Sequence, residues 1–240
     1  MPDSLSGRQI VLVGGTGGLG SASTTALHAE GARLVIGYRS NAARAAAFEP
    51  LGRVIGADIT AGAGRARLLD AAPEIYGLVV FAGAPTRAAS VDELEAAMAS
   101  SSLVNFQGPI LLAREAAARM RERGEQGAIV LVSTMQANAL FAGSTAYAAP
   151  KAALQHAARI LAKESRGAAN IRVNVISPGV NAAGMAQASI AAGKYDRYIK
   201  DGSIHRFGKP DDIARAVRFL LEPDNFITGQ VLTVDGGLTL

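Results

Sequence analysis

The sequence contains no cysteine and no tryptophan, and only 5% of its residues are aromatic. The absence of cysteine excludes disulfide bonds, thiolate catalysis and every zinc site that uses sulfur. Because 49% of the residues are nevertheless hydrophobic, the core must consist mainly of alanine, valine, isoleucine and leucine, as in parallel sheets covered by helices. No Pro/Ser-rich linker or charge run divides the chain, so we expect one domain over residues 1–240.

Long apolar runs are also missing from the chain. No uninterrupted run approaches the roughly 18 residues needed to cross a bilayer, and the start, MPDSLSGRQIVLV, is unlike a secretory signal. We therefore expect a cytoplasmic protein without a membrane partner. The net charge of +4 comes from scattered basic residues, which favours a solvated surface over nucleic-acid binding. The histidines at 28, 156 and 205 lack metal-ligand spacing, so no metal is expected.

Short runs rich in valine and isoleucine recur along the chain and predict strands. The seven runs are QIVLV, ARLVIG, GRVIGAD, GLVVFAG, GAIVLVS, IRVNVIS and GQVLTVDG. Alanine-rich segments of helical periodicity lie between them, over residues 18–31, 91–124, 146–167 and 209–222. This alternation predicts an α/β fold, a doubly wound parallel seven-stranded sheet with helices on both faces.

One segment interrupts the alternation of strands and helices. Residues 180–209 are too long for a simple connection between a strand and a helix, and they contain three aromatic residues. A segment of this length after a strand is typical of a lid over a binding site, although a mobile surface insertion has the same appearance. As a lid it would bring Met185, Tyr195 and Tyr198 to the site.

Five glycines follow the first predicted strand, in QIVLVGGTGGLGSAS, and they can be grouped in two ways. Gly15, Gly17 and Gly20 match G-x-G-x-x-G, whereas Gly14, Gly18 and Gly20 match G-x-x-x-G-x-G. Either spacing provides a sharp turn into a helix whose amino end can hold a pyrophosphate, which is the Rossmann-type arrangement for dinucleotides. A tight turn without a ligand would look the same.

The end of the second predicted strand bears on which dinucleotide would bind. This position usually carries an acidic residue that holds the 2′-hydroxyl of the adenosine ribose, but here it reads Tyr38 followed by Arg39. A guanidinium can pair with a 2′-phosphate through two hydrogen bonds. We therefore expect NADP rather than NAD, unless Arg39 is only a solvated residue that opens the next helix.

A tyrosine and a lysine four residues apart form the sharpest chemical signal. Tyr147 and Lys151 fall at the start of a predicted helix, where this spacing places both side chains on one face. The strand before them ends in Ser133 and Thr134, so hydroxyl groups come close to the pair in sequence. Pro150 is expected in the first turn of that helix, where its missing N–H costs nothing.

With these motifs in place, the chain resembles a compact single-domain short-chain dehydrogenase/reductase. The resemblance covers nearly the whole length and includes the glycine turn, ADIT, VNFQGP, Y-x-x-x-K, IRVNVISPG and the closing segment from GKPDDIARAVRFLL to ITGQVLTVDGG. Within this family the chain looks closest to 3-oxoacyl-thioester reductases. The resemblance implies the register of Gly14, Gly18 and Gly20, with Gly15 and Gly17 as extra flexibility in the turn.

The resemblance also implies roles for the catalytic residues. Tyr147 would act as the general acid that gives a proton to a substrate carbonyl, and Lys151 would lower the pKa of its phenol and hold the nicotinamide ribose. The family's serine falls at Thr134 by its spacing from the tyrosine, with Ser133 as the substitute. Asn105 matches the asparagine that holds a water in the proton relay, although a polar residue satisfied in a helix kink would occupy the same place.

The cofactor site implied by the resemblance covers most of the carboxyl edge of the sheet. It comprises Gly14, Thr16, Gly17, Gly18, Leu19, Gly20, Tyr38, Arg39, Ser40, Asp58, Ile59, Ala82, Gly83, Tyr147, Lys151, Pro178, Gly179 and Val180. Two positions depart from the family pattern: Phe81 replaces the asparagine of N-A-G, and Ala183 replaces a threonine that would hold the nicotinamide carboxamide. The second loss would cost about 1 kcal/mol of positioning, for which Asn181 could compensate.

The sequence thus predicts an NADPH-dependent reductase of a ketone or aldehyde, or the reverse alcohol dehydrogenase. Alternatives are an idle NADP-binding regulator and a non-redox epimerase or dehydratase of the same family. The expected substrate is small, neutral and partly apolar, because no cations cluster near its predicted walls; these walls are Met135, Gln136, Leu140 and Phe141 together with the lid. The resemblance implies a homotetramer.

Overall fold

A computed structural model describes residues 5–240, so the first four residues of the starting segment and of the predicted domain lie outside the described part. A parallel sheet with the strand order β3-β2-β1-β4-β5-β6-β7 runs through this part. Its strands are β1 (Gln9–Val13), β2 (Arg33–Tyr38), β3 (Arg53–Gly56), β4 (Ile75–Val80), β5 (Gly127–Val132), β6 (Ile171–Pro178) and β7 (Val231–Val234). The predicted fold class is confirmed, with one strand for each of the seven apolar runs.

Helices cover both faces of the sheet because successive residues of each buried strand point to opposite sides. Val11 and Val13 join one core cluster, which also receives apolar residues of α3, α5 and α6, whereas Ile10 and Leu12 join the cluster under α1 and α9. The helices are α1 (Gly20–Ala29), α2 (Ala42–Ala46), α3 (Gly62–Asp70), α4 (Val91–Ser102), α5 (Gly108–Glu122), α6 (Thr145–Glu164), α7 (Gln187–Ala191), α8 (Arg197–Lys200) and α9 (Pro210–Leu221). Within residues 5–240 no helix is both long and apolar enough to cross a membrane.

Two helical predictions need correction. The segment 91–124 is not one α-helix, because a π-helical turn over Leu103–Gln107 joins α4 to α5. Pro150 is the sixth residue of α6 and not part of its first turn. Its ring therefore removes the N–H that would bond the carbonyl of Ala146, a cost that the packing of this helix must offset.

The order of the strands determines where a ligand can bind. Strand β1 lies between β2 and β4, so the chain leaves it toward one edge of the sheet and later returns to its other side. Ligands of open parallel sheets bind outside the carboxyl ends of the strands at such a switch point. The glycine turn, the loop after β4 and the loop after β5 all emerge at this edge.

The predicted lid is folded and fixed at both ends. It contains a short 3-10 turn over Gly184–Ala186, followed by α7 and α8. At its base Asn181 forms a parallel bridge with Gly208: Ala182 N donates to Gly208 O at 2.8 Å, and Gly208 N donates to Val180 O at 2.9 Å. Only the segment between these two positions extends over the carboxyl edge.

Two glycines at the start of α3 provide a test of the packing beside this edge. A Cβ at Gly64 would overlap the carbonyl of Asp58, whereas a Cβ at Gly62 would approach only the flexible end of Arg65, at 3.6 Å. We expect Gly64→Ala to lower the free energy of unfolding by about 2 kcal/mol, and Gly62→Ala to change it by about 1 kcal/mol or less, toward stability. Urea unfolding of both variants measures this; equal effects would contradict the packing described.

Candidate active site

A cavity of about 580 Å³ follows the carboxyl edge of the sheet from the tip of β2 to the lid. All eighteen residues predicted to bind a cofactor line it, as do Ser133 and Thr134. Asn105 does not line the cavity but lies behind it, fully buried. The topology therefore brings the predicted residues together in one concave site of a size typical of small-molecule binding.

The glycine turn between β1 and α1 has little room for side chains. Gly14 has a φ of 76°, which favours glycine, and a Cβ at Gly20 would overlap the carbonyl oxygen of Gly14. A Cβ at Gly18 would overlap the backbone of Gly184 in the lid. The requirement for glycine is thus strongest at Gly14, Gly18 and Gly20, the glycines of the G-x-x-x-G-x-G register. A Cβ at Gly15 would come within about 3.0 Å of the side chains of Thr24, Ile36 and Leu12, so close packing also disfavours a larger residue there.

The amino end of α1 begins at the cavity wall, with Leu19 and Gly20 lining it. The first N–H groups of a helix have no partner within the helix and carry partial positive charge. At the tip of β2, Tyr38 is half-buried and Arg39 is exposed at the rim. The arrangement presents backbone donors and a guanidinium to the same end of the cavity, which suits a phosphorylated ligand.

Asp58 and Arg44 complete this end of the cavity. Hydrogen bonds from the backbone and then the side chain of Thr60 lower the pKa of Asp58, and the Arg39 charge lowers it further. Arg44, in α2, lines the cavity with Arg39, and Asn41 caps this helix by accepting from Arg44 N at 2.9 Å. The sequence analysis did not predict Arg44 as a cavity residue. The available signal was its position five residues after Arg39 in YRSNAAR.

Lys151 is the most deeply buried charged side chain of the site, with 2% of its surface exposed. Its Nζ donates to Val132 O at 2.8 Å and to Ala82 O at 3.4 Å, so it joins the loop after β4 to the end of β5. Burial lowers the pKa of Lys151 to about 8. At neutral pH the ammonium therefore remains mostly protonated and provides a cation beneath the cavity floor.

Tyr147 and Thr134 line the same cavity as Lys151. Burial raises the pKa of the Tyr147 phenol, and a hydrogen bond with the Thr134 side chain lowers it in part. The expectation that Lys151 holds this pKa below its ordinary value is therefore wrong, since desolvation dominates. The Ser133 hydroxyl has other partners: it donates to Lys151 O at 3.1 Å and accepts from Gln155 Nε2 at 3.2 Å. Of these two hydroxyl groups, only that of Thr134 affects the pKa of the phenol.

Asn105 lies at the centre of the π-helical turn and holds the loop after β4. Its Oδ1 accepts from Ala84 N at 3.1 Å, and its Nδ2 donates to Ala84 O at 3.0 Å and to Ser101 Oγ at 2.8 Å. A Cβ at Gly83 would come within 3.0 Å of Asn105 Oδ1 and 3.3 Å of Lys151 Nζ. Glycine at this position lets the asparagine and the lysine approach the same stretch of backbone.

The two departures from the family pattern have different structural consequences. Phe81 packs against the core beneath α1 and α9 while its N–H donates to Val13 O at 2.8 Å, so the backbone path after β4 is kept. Ala183 lines the cavity without a hydroxyl group. Nearby, Asn181 is buried; its Nδ2 donates to Gly179 O at 3.0 Å, and its Oδ1 has no partner among the described residues.

The substrate end of the cavity differs from the expectation. Met135 and Gln136 line it, together with Met185 and Tyr195 of the lid, but Leu140 is fully exposed and lines neither cavity. A second recess of about 220 Å³ adjoins this end; we call it the annex, and it is lined by Arg87, Met135, Gln136, Phe141, Ala142, Lys194, Tyr195, Arg197 and Tyr198. The premise that no cations cluster near the substrate walls is therefore wrong. Lys194 and Arg197 are neighbours in the lid, whereas Arg87 comes from the loop after β4, and a linear pattern does not reveal that the three line one recess.

Comparisons with known proteins agree with this geometry. A family model described as enoyl-(acyl carrier protein) reductase matches residues 14–239. The chain is 31% identical to NADPH-dependent aldehyde reductase 2, chloroplastic, of Arabidopsis thaliana, over 100% of this chain and 96% of that protein. It is 33% identical to carbonyl reductase family member 4 of Danio rerio, over 97% of this chain and 98% of that protein.

A solved structure shows the same architecture. The short-chain type dehydrogenase/reductase of Mycobacterium ulcerans superposes with a TM-score of 0.88 at 29% identity, over 98% of this chain and 90% of that chain. Three findings lead to one assignment. The family model matches most of the chain, the relatives match over nearly their full length, and the solved structure shares the fold. The chain belongs to the short-chain dehydrogenase/reductase family.

Proposed function

We propose that this protein is an NADPH-dependent reductase of ketones or aldehydes, or catalyses the reverse alcohol oxidation, as a single domain with the lid over residues 180–209. The observation that carries the proposal is that Tyr147, Thr134 and the buried Lys151 line one cavity, which continues to the glycine turn. The names of the aldehyde and carbonyl reductases that resemble the chain support the same reaction class.

The residues present fit a nicotinamide dinucleotide. The glycine turn and the amino end of α1 would hold its pyrophosphate, and Lys151 retains donor capacity beyond its two carbonyl partners for the ribose hydroxyls. Ala183 leaves this part of the wall without a hydroxyl group, and Asn181 is a polar residue that lines the same wall. When bound and reduced, the cofactor supplies a hydride, which is a proton together with two electrons.

The chain itself supplies the proton that the carbonyl oxygen takes up and the positive charge near that proton donor. The raised pKa of Tyr147 keeps its phenol protonated at neutral pH, ready to donate to the carbonyl oxygen as that oxygen becomes an alkoxide. Thr134 contributes a hydroxyl that orients the same oxygen. The Lys151 ammonium stabilises the phenolate that remains after proton transfer, because an opposite charge favours the ionised form.

Arg39 supports the preference for NADP within this proposal. It lies at the rim where the acidic reader of a ribose 2′-hydroxyl would be, and Arg44 lines the same end of the cavity. Two guanidinium groups and no carboxylate at the tip of β2 favour a 2′-phosphate by charge and by hydrogen bonding. Asp58, on the neighbouring strand end, is held by Thr60 at 2.8 and 2.9 Å.

The proposal includes a homotetramer. Apolar side chains are exposed on the outer faces of the helical layer, at Met98, Leu103, Leu111 and Ile160, and near the last strand at Phe219 and Leu232. Two separate apolar surfaces suit two different two-fold contacts. Sedimentation equilibrium at low micromolar concentration measures the assembly; a monomer would refute this part of the proposal.

Replacement of Tyr147 by phenylalanine tests the reaction. We expect Tyr147→Phe to lower the rate of carbonyl-dependent NADPH oxidation at least about a hundredfold, because the proton donor is lost, while NADPH still binds. Initial rates with ketones, aldehydes, quinones and oxoacyl thioesters measure this, with cofactor fluorescence as the control for binding. Unchanged turnover would refute the mechanism. Wild-type binding without turnover would favour a regulator, and conversion without NADPH consumption would favour an epimerase or dehydratase.

Replacement of Arg39 tests the cofactor preference. We expect Arg39→Ser to lower kcat/KM for NADPH about tenfold or more, since a charge-assisted pair is lost, and to leave kcat/KM for NADH nearly unchanged. Arg53→Ser, at an exposed arginine of β3 outside the cavity, removes the same charge as a control. An equal fall for both cofactors in Arg39→Ser would show that Arg39 does not recognise the phosphate.

The buried lysine predicts a pH dependence of stability. Lys151 has a pKa of about 8 in the folded protein, below the ordinary 10.5, so the unfolded chain binds more protons between these values. The wild type should therefore gain stability relative to Lys151→Met as pH rises from about 8 to about 10.5. Urea unfolding of both proteins across this range gives the difference; a constant difference would show that burial does not perturb the lysine.

A further inference from the structure

The annex is an extension of the substrate end of the main cavity. Five of its nine lining residues also line the main cavity, namely Arg87, Met135, Gln136, Lys194 and Tyr195. Met135 and Gln136 directly follow Thr134, which is the residue beside the phenol of Tyr147. A substrate whose carbonyl lies against that phenol can therefore extend along this shared wall into the annex.

The annex is lined by three cations and by no carboxylate. Arg87, Lys194 and Arg197 contribute the positive charges, and none of them takes part in the ion pairs formed among residues 5–240. Arg87 donates to the carbonyl of Gly143 at 3.2 Å. Arg197 donates to the Tyr198 hydroxyl at 2.9 Å, and Lys194 lies 5.7 Å from the ring centroid of Tyr195.

The acidic groups nearest in sequence do not line the annex. The hydrogen bond to the Tyr198 hydroxyl is the main cause of the raised pKa of Arg197, and the charge of Asp201 adds to it; the Asp201 carboxylate accepts hydrogen bonds from Ser203 and does not line the annex. Asp196 precedes Arg197 and likewise does not line the recess. Arg87, Lys194 and Arg197 are exposed residues that line one recess, so their charges make it positive and favourable for an anion.

The remaining walls of the annex are apolar or aromatic. Met135 is buried and Phe141 is half-buried, while the rings of Tyr195 and Tyr198 are stacked at 6.3 Å with an interplanar angle of 15°. The side-chain oxygen of Gln136 is buried without a partner at the junction of both cavities. These walls suit an apolar or aromatic segment between a carbonyl and a charged group.

We propose that the substrate is a carbonyl compound that carries an anionic group, a carboxylate or a phosphate, bound in the annex by Arg87, Lys194 and Arg197. This inference rests on the proposed reductase function and replaces the neutral substrate expected from the sequence. Lys194 and Arg197 belong to the lid and Arg87 to the loop after β4, so the anion would also fasten the lid to the body of the protein.

Matched aldehydes test the charge preference. The probes are 4-formylbenzoate, 4-formylphenyl phosphate and the neutral methyl 4-formylbenzoate, with NADPH at saturation. We expect kcat/KM for at least one anion to exceed that of the ester about tenfold, mainly through KM, and the advantage to fall as salt is raised. The better of the two anions identifies the group. Equal kcat/KM values for the ester and both anions would overturn the inference but leave the reductase function intact.

Variants locate the preference in the annex. We expect Arg197→Gln combined with Lys194→Gln to reduce the advantage of the anion over the ester to less than about threefold, with little change for the ester. Lys200→Gln, at an exposed residue of α8 outside the annex, removes one charge as the control and should keep the advantage. A preference that survives the double variant would place the anion elsewhere and refute the proposal.

Binding separates this inference from the reaction itself. Calorimetric titration of 4-formylbenzoate and of its methyl ester into the protein loaded with NADP⁺ does not depend on turnover, because the oxidised cofactor has no hydride to transfer. Tighter binding of the anion that is lost in the double variant would support the annex even if no aldehyde were reduced, in which case the proposed function alone would fail. Equal binding of the two compounds would overturn the inference whatever the activity.

Discussion

The site depends on one buried cation held by two carbonyl groups. The Lys151 ammonium donates to Val132 O and Ala82 O, so it fixes the ends of two neighbouring strands to α6. An ammonium that has left water must be compensated by hydrogen bonds, and the loop after β4 meets this requirement by presenting its backbone. Gly83 leaves space for the lysine, and Asn105 holds Ala84 from the π-helical turn behind it. The positions of Tyr147 and Thr134 follow from this arrangement.

The sequence predicted the fold well because its core is simple. Seven short runs of branched apolar residues alternate with alanine-rich helices, and each run became one strand of the sheet. The errors occur where the local pattern carries no information about packing. The π-helical turn at Leu103–Gln107 interrupts a segment that looks uniformly helical, and Pro150 lies inside α6 because the helix begins earlier than the sequence indicates. The short helices α2 and α3 carry too few apolar residues to show a period.

The site was predictable in its residues but not in its electrostatics. The residues predicted to bind a cofactor lie in recognisable motifs, and the structure shows that all of them line one cavity. The raised pKa of Tyr147 reflects burial, which no motif encodes. The annex was not foreseen either, because Arg87 lies more than a hundred residues before Lys194 and Arg197, and only the common edge of the sheet brings them together. The charge of a recess is a property of the assembled edge and not of any segment.

The contact between the glycine turn and the lid is made by backbone on both sides. Gly18 and Gly184 meet with no side chain between them, closely enough that even a methyl group would overlap. A contact between side chains can open through rotamer changes within picoseconds to nanoseconds. The contact between Gly18 and Gly184 contains no side chain, so it cannot open in this way. Its two sides can separate only if a stretch of main chain moves, which belongs to the slower class of loop motions, of nanoseconds to microseconds. The bridge between Asn181 and Gly208 holds the base of this segment, so a motion that separates the two glycines would have to occur between these two residues.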